Sequence, residues 1–108
     1  MSKFLIVGSR DLMEYKESDF ALHVASQLKQ KGHETTLFLI ENGTLAARKG
    51  SEAAARLTAL SKEGVKILAE DLSLKLRGVK ERAEGVSESN MDALADLILN
   101  GTDKVIWY

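Results

Sequence analysis

The residues able to do chemistry in this chain gather at three places: Ser9-Arg10, Glu41-Asn42, and a stretch holding Glu70, Asp71, Ser73 and Arg77. The first two follow short apolar runs, and the third opens at the end of one. Carboxylates at such positions can act as general bases, and an arginine can bind anions. Arg77 fits either an anion-binding role or an ordinary ion pair with Glu70 or Asp71, and the spacing favours the pair. His23 and His33 are isolated, without a third ligand, so no metal site is expected. His23 reads as a helix-surface or partly packed residue and His33 as a solvated turn residue. The chain has no cysteine. That excludes disulfides, thiolate metal sites, Fe–S clusters and covalent thiol catalysis. No catalytic residue and no cofactor is assigned.

The elements that must carry these residues alternate between β-like and helical runs. Phe4 to Val7 is a continuous apolar run ending at Gly8, as in a strand buried on both faces. After the polar stretch 9–17, Ser18 offers a helix N-cap, with Phe20, Val24, Ala25 and Leu28 as the apolar stripe and Gly32 as the stop. Thr35 to Ile40 predicts the second strand, Glu41-Asn42-Gly43 a turn, and Thr44 to Ala47 a short helix. Ser51 caps the next helix, which runs through Leu57 and Leu60 to Gly64. Val65 to Ala69 is the third strand. Leu72, Leu76 and Val79 fit a short helix, while Leu72, Leu74 and Leu76 also fit a strand. Residues 85–88 form a loop or short strand. Ser89 and Asp92 resemble a capping box, ahead of a helix whose inner face is Met91, Leu94, Ala95 and Ile98. Lys104 to Tyr108 is the final strand.

This order predicts an α/β fold of one domain, residues 1–108: a three-layer sandwich with mostly parallel strands and helices on both faces. In such sheets ligands sit beyond the carboxyl ends of the strands, which is where the three polar groups fall. With 15 basic and 16 acidic residues, the formal charge is −1. That balance gives no general attraction for nucleic acid or anionic membrane. No apolar run approaches the ~18 residues of a membrane span, and nothing resembles a signal peptide. A cytoplasmic protein is the expectation. Gly8-Ser9-Arg10-Asp11 lacks the spaced glycines of a dinucleotide or phosphate loop. Asp71 could pose as the phosphoacceptor of a receiver domain, but the final strand leaves no room for that domain's lysine loop.

The segment from Val65 to Val79, VKILAEDLSLKLRGV, resembles the third-strand motif of the DsrE/DsrF-like sulfur-relay family. That motif is an apolar strand, a cysteine, a second cysteine in some members, then Arg-Gly and an apolar residue. Phe4 to Val7, the turn Lys31-Gly32-His33-Glu34, Glu41-Asn42-Gly43, Gly85-Val86 with Met91, and Asp103 to Ile106 agree with the family pattern in order and spacing. The resemblance spans nearly the whole chain. It implies a flavodoxin-like fold with about five strands and a homo-oligomer, trimer or hexamer. It also implies a pocket near a subunit boundary, built here from Ser9, Arg10, Asn42, Glu70, Ser73 and Arg77.

Counting back from Arg77, Glu70 stands at the sulfur-carrying position and Ser73 at the second cysteine position. A carboxylate cannot hold a persulfide, and a serine hydroxyl is no substitute for a thiol. Three roles follow. The first is a non-catalytic subunit or small-ligand or partner-binding protein, one partner being a cysteine-containing homologue. The second is an enzyme using Glu70 as a general base with a raised pKa, assisted by Asp71 or Glu41. The third is a structural interaction protein, with Trp107-Tyr108 either in an oligomer interface or finishing the core.

Overall fold

The computed structural model describes residues 1–14 and 19–108. The predicted Ser18 cap lies outside the described residues, as does the end of the polar stretch before it. The described elements follow in order. They are β1 (Lys3–Gly8), α1 (Phe20–Gln30), β2 (Glu34–Leu39), a 3₁₀ segment (Glu41–Ala47), α2 (Glu52–Lys62), β3 (Lys66–Glu70), α3 (Asp71–Leu76), β4 (Val86–Ser89), α4 (Met91–Asn100) and β5 (Lys104–Trp107). The strands form one sheet of order β4-β3-β2-β1-β5, and every pairing in it is parallel.

The register explains why the strand sequences are apolar throughout. Ile106, Ile6, Leu37, Ile67 and Val86 lie in one row across the sheet. They join Ala25 of α1, Leu57 and Leu60 of α2 and Leu74 of α3 in the larger core. The next row, Trp107, Val7, Phe38 and Leu68, points to the opposite face. There Leu94 and Leu97 of α4 cover Leu5, Val7, Phe38 and Leu68. The sandwich is therefore unequal. One face carries α1, α2, α3 and the 3₁₀ segment, and α4 covers the other.

That inequality bears on Trp107-Tyr108, which the sequence left open between an interface and the core, and on the inner face of α4. A lone helix over the central strands leaves the sheet margin open. Trp107 is 59% exposed for this reason, while Tyr108 packs on the core with its ring 5.6 Å from that of Phe20. Of the predicted inner face of α4, Leu94 is buried as expected, but its partner is Leu97, while Met91, Ala95 and Ile98 are exposed. This helix is apolar nearly all round, so periodicity alone does not select the buried side. Its cap also differs. The side chain of Asn90, rather than Ser89, accepts from the Ala93 N–H at 2.8 Å.

Elsewhere local chemistry and structure agree. Ser51 caps α2 by accepting from the Ala54 N–H at 3.1 Å. Gly32 ends α1 at φ +89°, a conformation that favours glycine. Phe20, assigned to the inner stripe of α1, is half exposed, and Ala21 and Ala25 take the fully buried positions. His33 is more than a solvated turn residue: its Nδ1 accepts from the Ser2 N–H at 3.0 Å, and its ring meets Phe4 edge-on at 5.1 Å.

Candidate functional site

The carboxyl end of β3 becomes the N-terminus of α3 without an intervening loop, and Glu70 is the hinge residue. Its backbone is extended, which makes it the helix N-cap. A helix leaves its first N–H groups without internal partners, and a side-chain oxygen at the cap satisfies them. Glu70 does this with both oxygens. Oε2 accepts from the Leu72 N–H at 2.8 Å and Oε1 from the Ser73 N–H at 3.0 Å. The Ser73 hydroxyl also donates to Oε1. Glu70 and Ser73 are both buried, at 5% and 4% exposure. Leu74, the inward residue of α3, anchors the turn and settles the helix-or-strand ambiguity in favour of helix.

The 3₁₀ segment supplies the other wall. Glu41 follows β2 in the left-handed region, at φ +49°. That conformation aims its N–H at the Ser73 hydroxyl, 2.9 Å away. The hydroxyl thus accepts from Glu41 and donates to Glu70, so its rotor is fixed from both sides. Gly43 holds the segment against β1. A Cβ there would lie 2.1 Å from the Gly8 carbonyl oxygen, so no other residue allows this approach.

Arg77 closes the group from the far end of α3. Its Nε donates to Asn42 Oδ1 at 2.9 Å, and Nη1 reaches the Ser73 carbonyl at 3.4 Å. Nη2 pairs with Glu41 Oε2 at 3.2 Å. The ion pair read from the sequence exists, but its partner is Glu41 rather than Glu70 or Asp71. Arg48 in turn donates to the Arg77 carbonyl at 3.3 Å. That clamp carried no sequence signal, because the two residues are brought together by the tertiary fold.

Asn42, Glu70, Ser73 and Arg77 are therefore in one constellation. Ser9 and Arg10 belong elsewhere. Ser9 donates through N and Oγ to the main-chain oxygen of Tyr108, at 2.8 and 3.0 Å. The Arg10 guanidinium lies 5.7 Å from the centre of the Tyr108 ring. These contacts face β5. The backbone of Ser9 still borders the 3₁₀ segment at Gly43, but its side chain and that of Arg10 are directed to Tyr108 rather than to Arg77.

The electrostatics of Glu70 overturn one expectation. Burial pushes its carboxyl upward. Hydrogen bonds from the Ser73 hydroxyl, the Leu72 N–H and the Ser73 N–H outweigh it, and the net direction is below the ordinary 4.5. A carboxylate held down in this way is a weak base, so the raised pKa required of a general base is not found. The groove between α1 and α2 holds His23, Asp19 and Glu63, but Asp19 pairs with Arg56 and Glu63 with Ser26. Among the described residues no cluster of three or more His, Asp or Glu residues is placed to hold a metal ion. Nor, among them, is any helix long and apolar enough to cross a membrane.

The model of the DsrE/DsrF-like family matches residues 2–108. The chain belongs to the DsrE/DsrF-like family. Its fold is shared with the YchN protein of E. coli, at a TM-score of 0.90 and 24% identity over 100% of both chains. A protein of unknown function from Methanobacterium thermoautotrophicum superposes at 0.78, with 18% identity over 100% of both chains. A conserved protein of unknown function from Bacteroides thetaiotaomicron gives 0.78 and 18% identity, over 99% of this chain and 95% of that one. At these identities the likenesses establish the flavodoxin-like α/β fold. No curated protein matches the chain significantly.

Proposed function

We propose that this chain is a cysteine-free, non-catalytic member of the sulfur-relay class, working as a cytoplasmic homo-oligomer that binds a partner or small ligand. The observation that carries the reading is the state of Glu70. In relay members the resemblance places a sulfur-bearing thiol at this position. Here a carboxylate fills it, and its oxygens take up the N–H groups at the start of α3 and the Ser73 hydroxyl. A fixed carboxylate stands in place of a sulfur carrier, and Arg77 joins Asn42 and the Ser73 carbonyl beside it. The chain itself has no thiol with which to accept sulfur. Its contribution to sulfur metabolism therefore runs through association with a cysteine-containing homologue.

The test is to mix or co-express the protein with a cysteine-bearing family member and examine the products by native mass spectrometry. Mixed trimers or hexamers are expected. If only separate homo-oligomers form, the relay-subunit role is wrong. Light scattering checks the homo-oligomer by itself, and a monomer at micromolar concentration contradicts it.

A further inference from the structure

Among the exposed surfaces of the described residues, two on opposite sides of the sheet match. On α3 the outward residues are Asp71, Leu72, Lys75 and Leu76, two i, i+4 pairs that share one helix face. Leu72 is 57% exposed and Leu76 72%. Large apolar side chains this open, one turn apart on a helix whose third leucine is buried, form a two-pronged knob. On the opposite face of the sheet a groove of about 450 Å³ runs beside α4. Leu68, Ala93 and Leu97 supply its apolar lining, and Lys66 and Asp96 its charges. Two leucine side chains fit within that volume. The charges on the two surfaces are complementary: Asp71 and Lys75 on the knob, Lys66 and Asp96 at the groove. No basic residue lies on α4, and Asp92 precedes Asp96 by one turn, so the acidic side of the groove is reinforced.

Leu74 of α3 and Leu94 of α4 belong to cores on opposite faces of the sheet. A chain therefore cannot seat its own α3 in its own groove. We propose that the α3 knob of one copy docks into the α4 groove of the next, with Leu72 and Leu76 in the groove, Lys75 against Asp96 and Asp71 against Lys66. Such a contact is heterologous: each copy gives one surface and receives the other, so the contacts close into a ring when the rotation permits. The near-neutral net charge of −1 leaves no bulk repulsion to oppose it. The inference rests on the homo-oligomer reading above and assigns its interface.

The test is sedimentation velocity and native mass spectrometry on the full chain, with circular dichroism to confirm folding. Exposed charges at an interface rim contribute modestly, so Lys75→Asp and Asp96→Lys are each expected to weaken assembly by about tenfold. The double variant Lys75→Asp/Asp96→Lys is expected to recover assembly, because every junction then carries the same ion pair with its signs exchanged. Leu76→Asp, at an exposed position, is expected to weaken assembly by about thirtyfold while leaving the fold intact. Single variants that assemble like the wild type would overturn the interface, as would a double variant worse than either single. In both cases an oligomeric wild type leaves the homo-oligomer reading standing. A monomeric wild type removes both.

Discussion

Replacing Glu70 by Gln tests the central feature of the site with the smallest change of shape. In the wild type both carboxylate oxygens accept, one from Leu72 and the other from Ser73. Glutamine keeps one acceptor and turns the other into an NH₂ group. That group then faces a backbone N–H or the Ser73 hydroxyl, both donors. Hydrogen bonds to a charged acceptor contribute about 1.5–3 kcal/mol each, and an orphaned buried donor costs about 1–3 kcal/mol. Part of this is offset because the buried charge is gone, so a loss of about 2 kcal/mol at pH 7 is expected. The loss must also depend on pH. The folded carboxyl lies below its ordinary 4.5, so in acid the unfolded chain takes up the proton first. The stabilisation is complete above the unfolded pKa and disappears as pH falls through the folded one. Urea unfolding followed by far-UV circular dichroism, at fixed protein concentration, at pH 7 and again near pH 3 measures both effects. The gap between wild type and Glu70→Gln should narrow in acid. A variant as stable as the wild type at pH 7, or a deficit unchanged by acid, refutes the capping account.

Three further outcomes are expected. Gly43→Ala places a methyl 2.1 Å from the Gly8 carbonyl oxygen, a backbone clash that should cost at least about 3 kcal/mol and show as a large drop in Tm. Asn90→Ala should lose about 1 kcal/mol as the α4 cap, whereas Ser89→Ala should stay within about 0.5 kcal/mol, both read by thermal melts. Leu57→Ala, in a fully buried position of the larger core, should cost about 2–5 kcal/mol in denaturant unfolding.

The layered architecture was legible because its causes are local. Continuous apolar runs mark strands covered on both faces, and Ser51 and Gly32 punctuate helices by chemistry that needs no tertiary contact. The spacing of Glu70, Ser73 and Arg77 was also readable, since i, i+3 and i+7 share one side of a helix. What failed depended on neighbours. The inner face of α4 is chosen by how one helix lies on three strands, and its sequence is apolar on too many sides to announce that choice. Asn90 outcompetes Ser89 for the cap, a difference of one residue in where the chain turns. The direction of the Ser9 and Arg10 side chains, toward Tyr108, was not readable either, because it follows from β5 lying next to β1. The lowered pKa of Glu70 follows from the number of donors aimed at it. The Glu41 N–H that fixes the Ser73 hydroxyl depends on a left-handed residue with no glycine to mark it.

The sheet order also has a consequence for synthesis. β1 precedes the other strands of this sheet in the chain, yet it is completed on one side by β5, with Phe4 opposite Lys104 and Val7 opposite Trp107. The two ends are further tied by Lys3 N–H to Asp103 Oδ2 at 2.7 Å and Asp103 N–H to the Lys3 carbonyl at 2.8 Å. Until β5 leaves the ribosome, one edge of β1 lacks its native partner. Such long-range pairing folds slowly and leaves a sticky edge open to other nascent chains. The interval between β2 docking and β5 arrival is where a ribosome-bound chaperone would matter most for the yield of this protein.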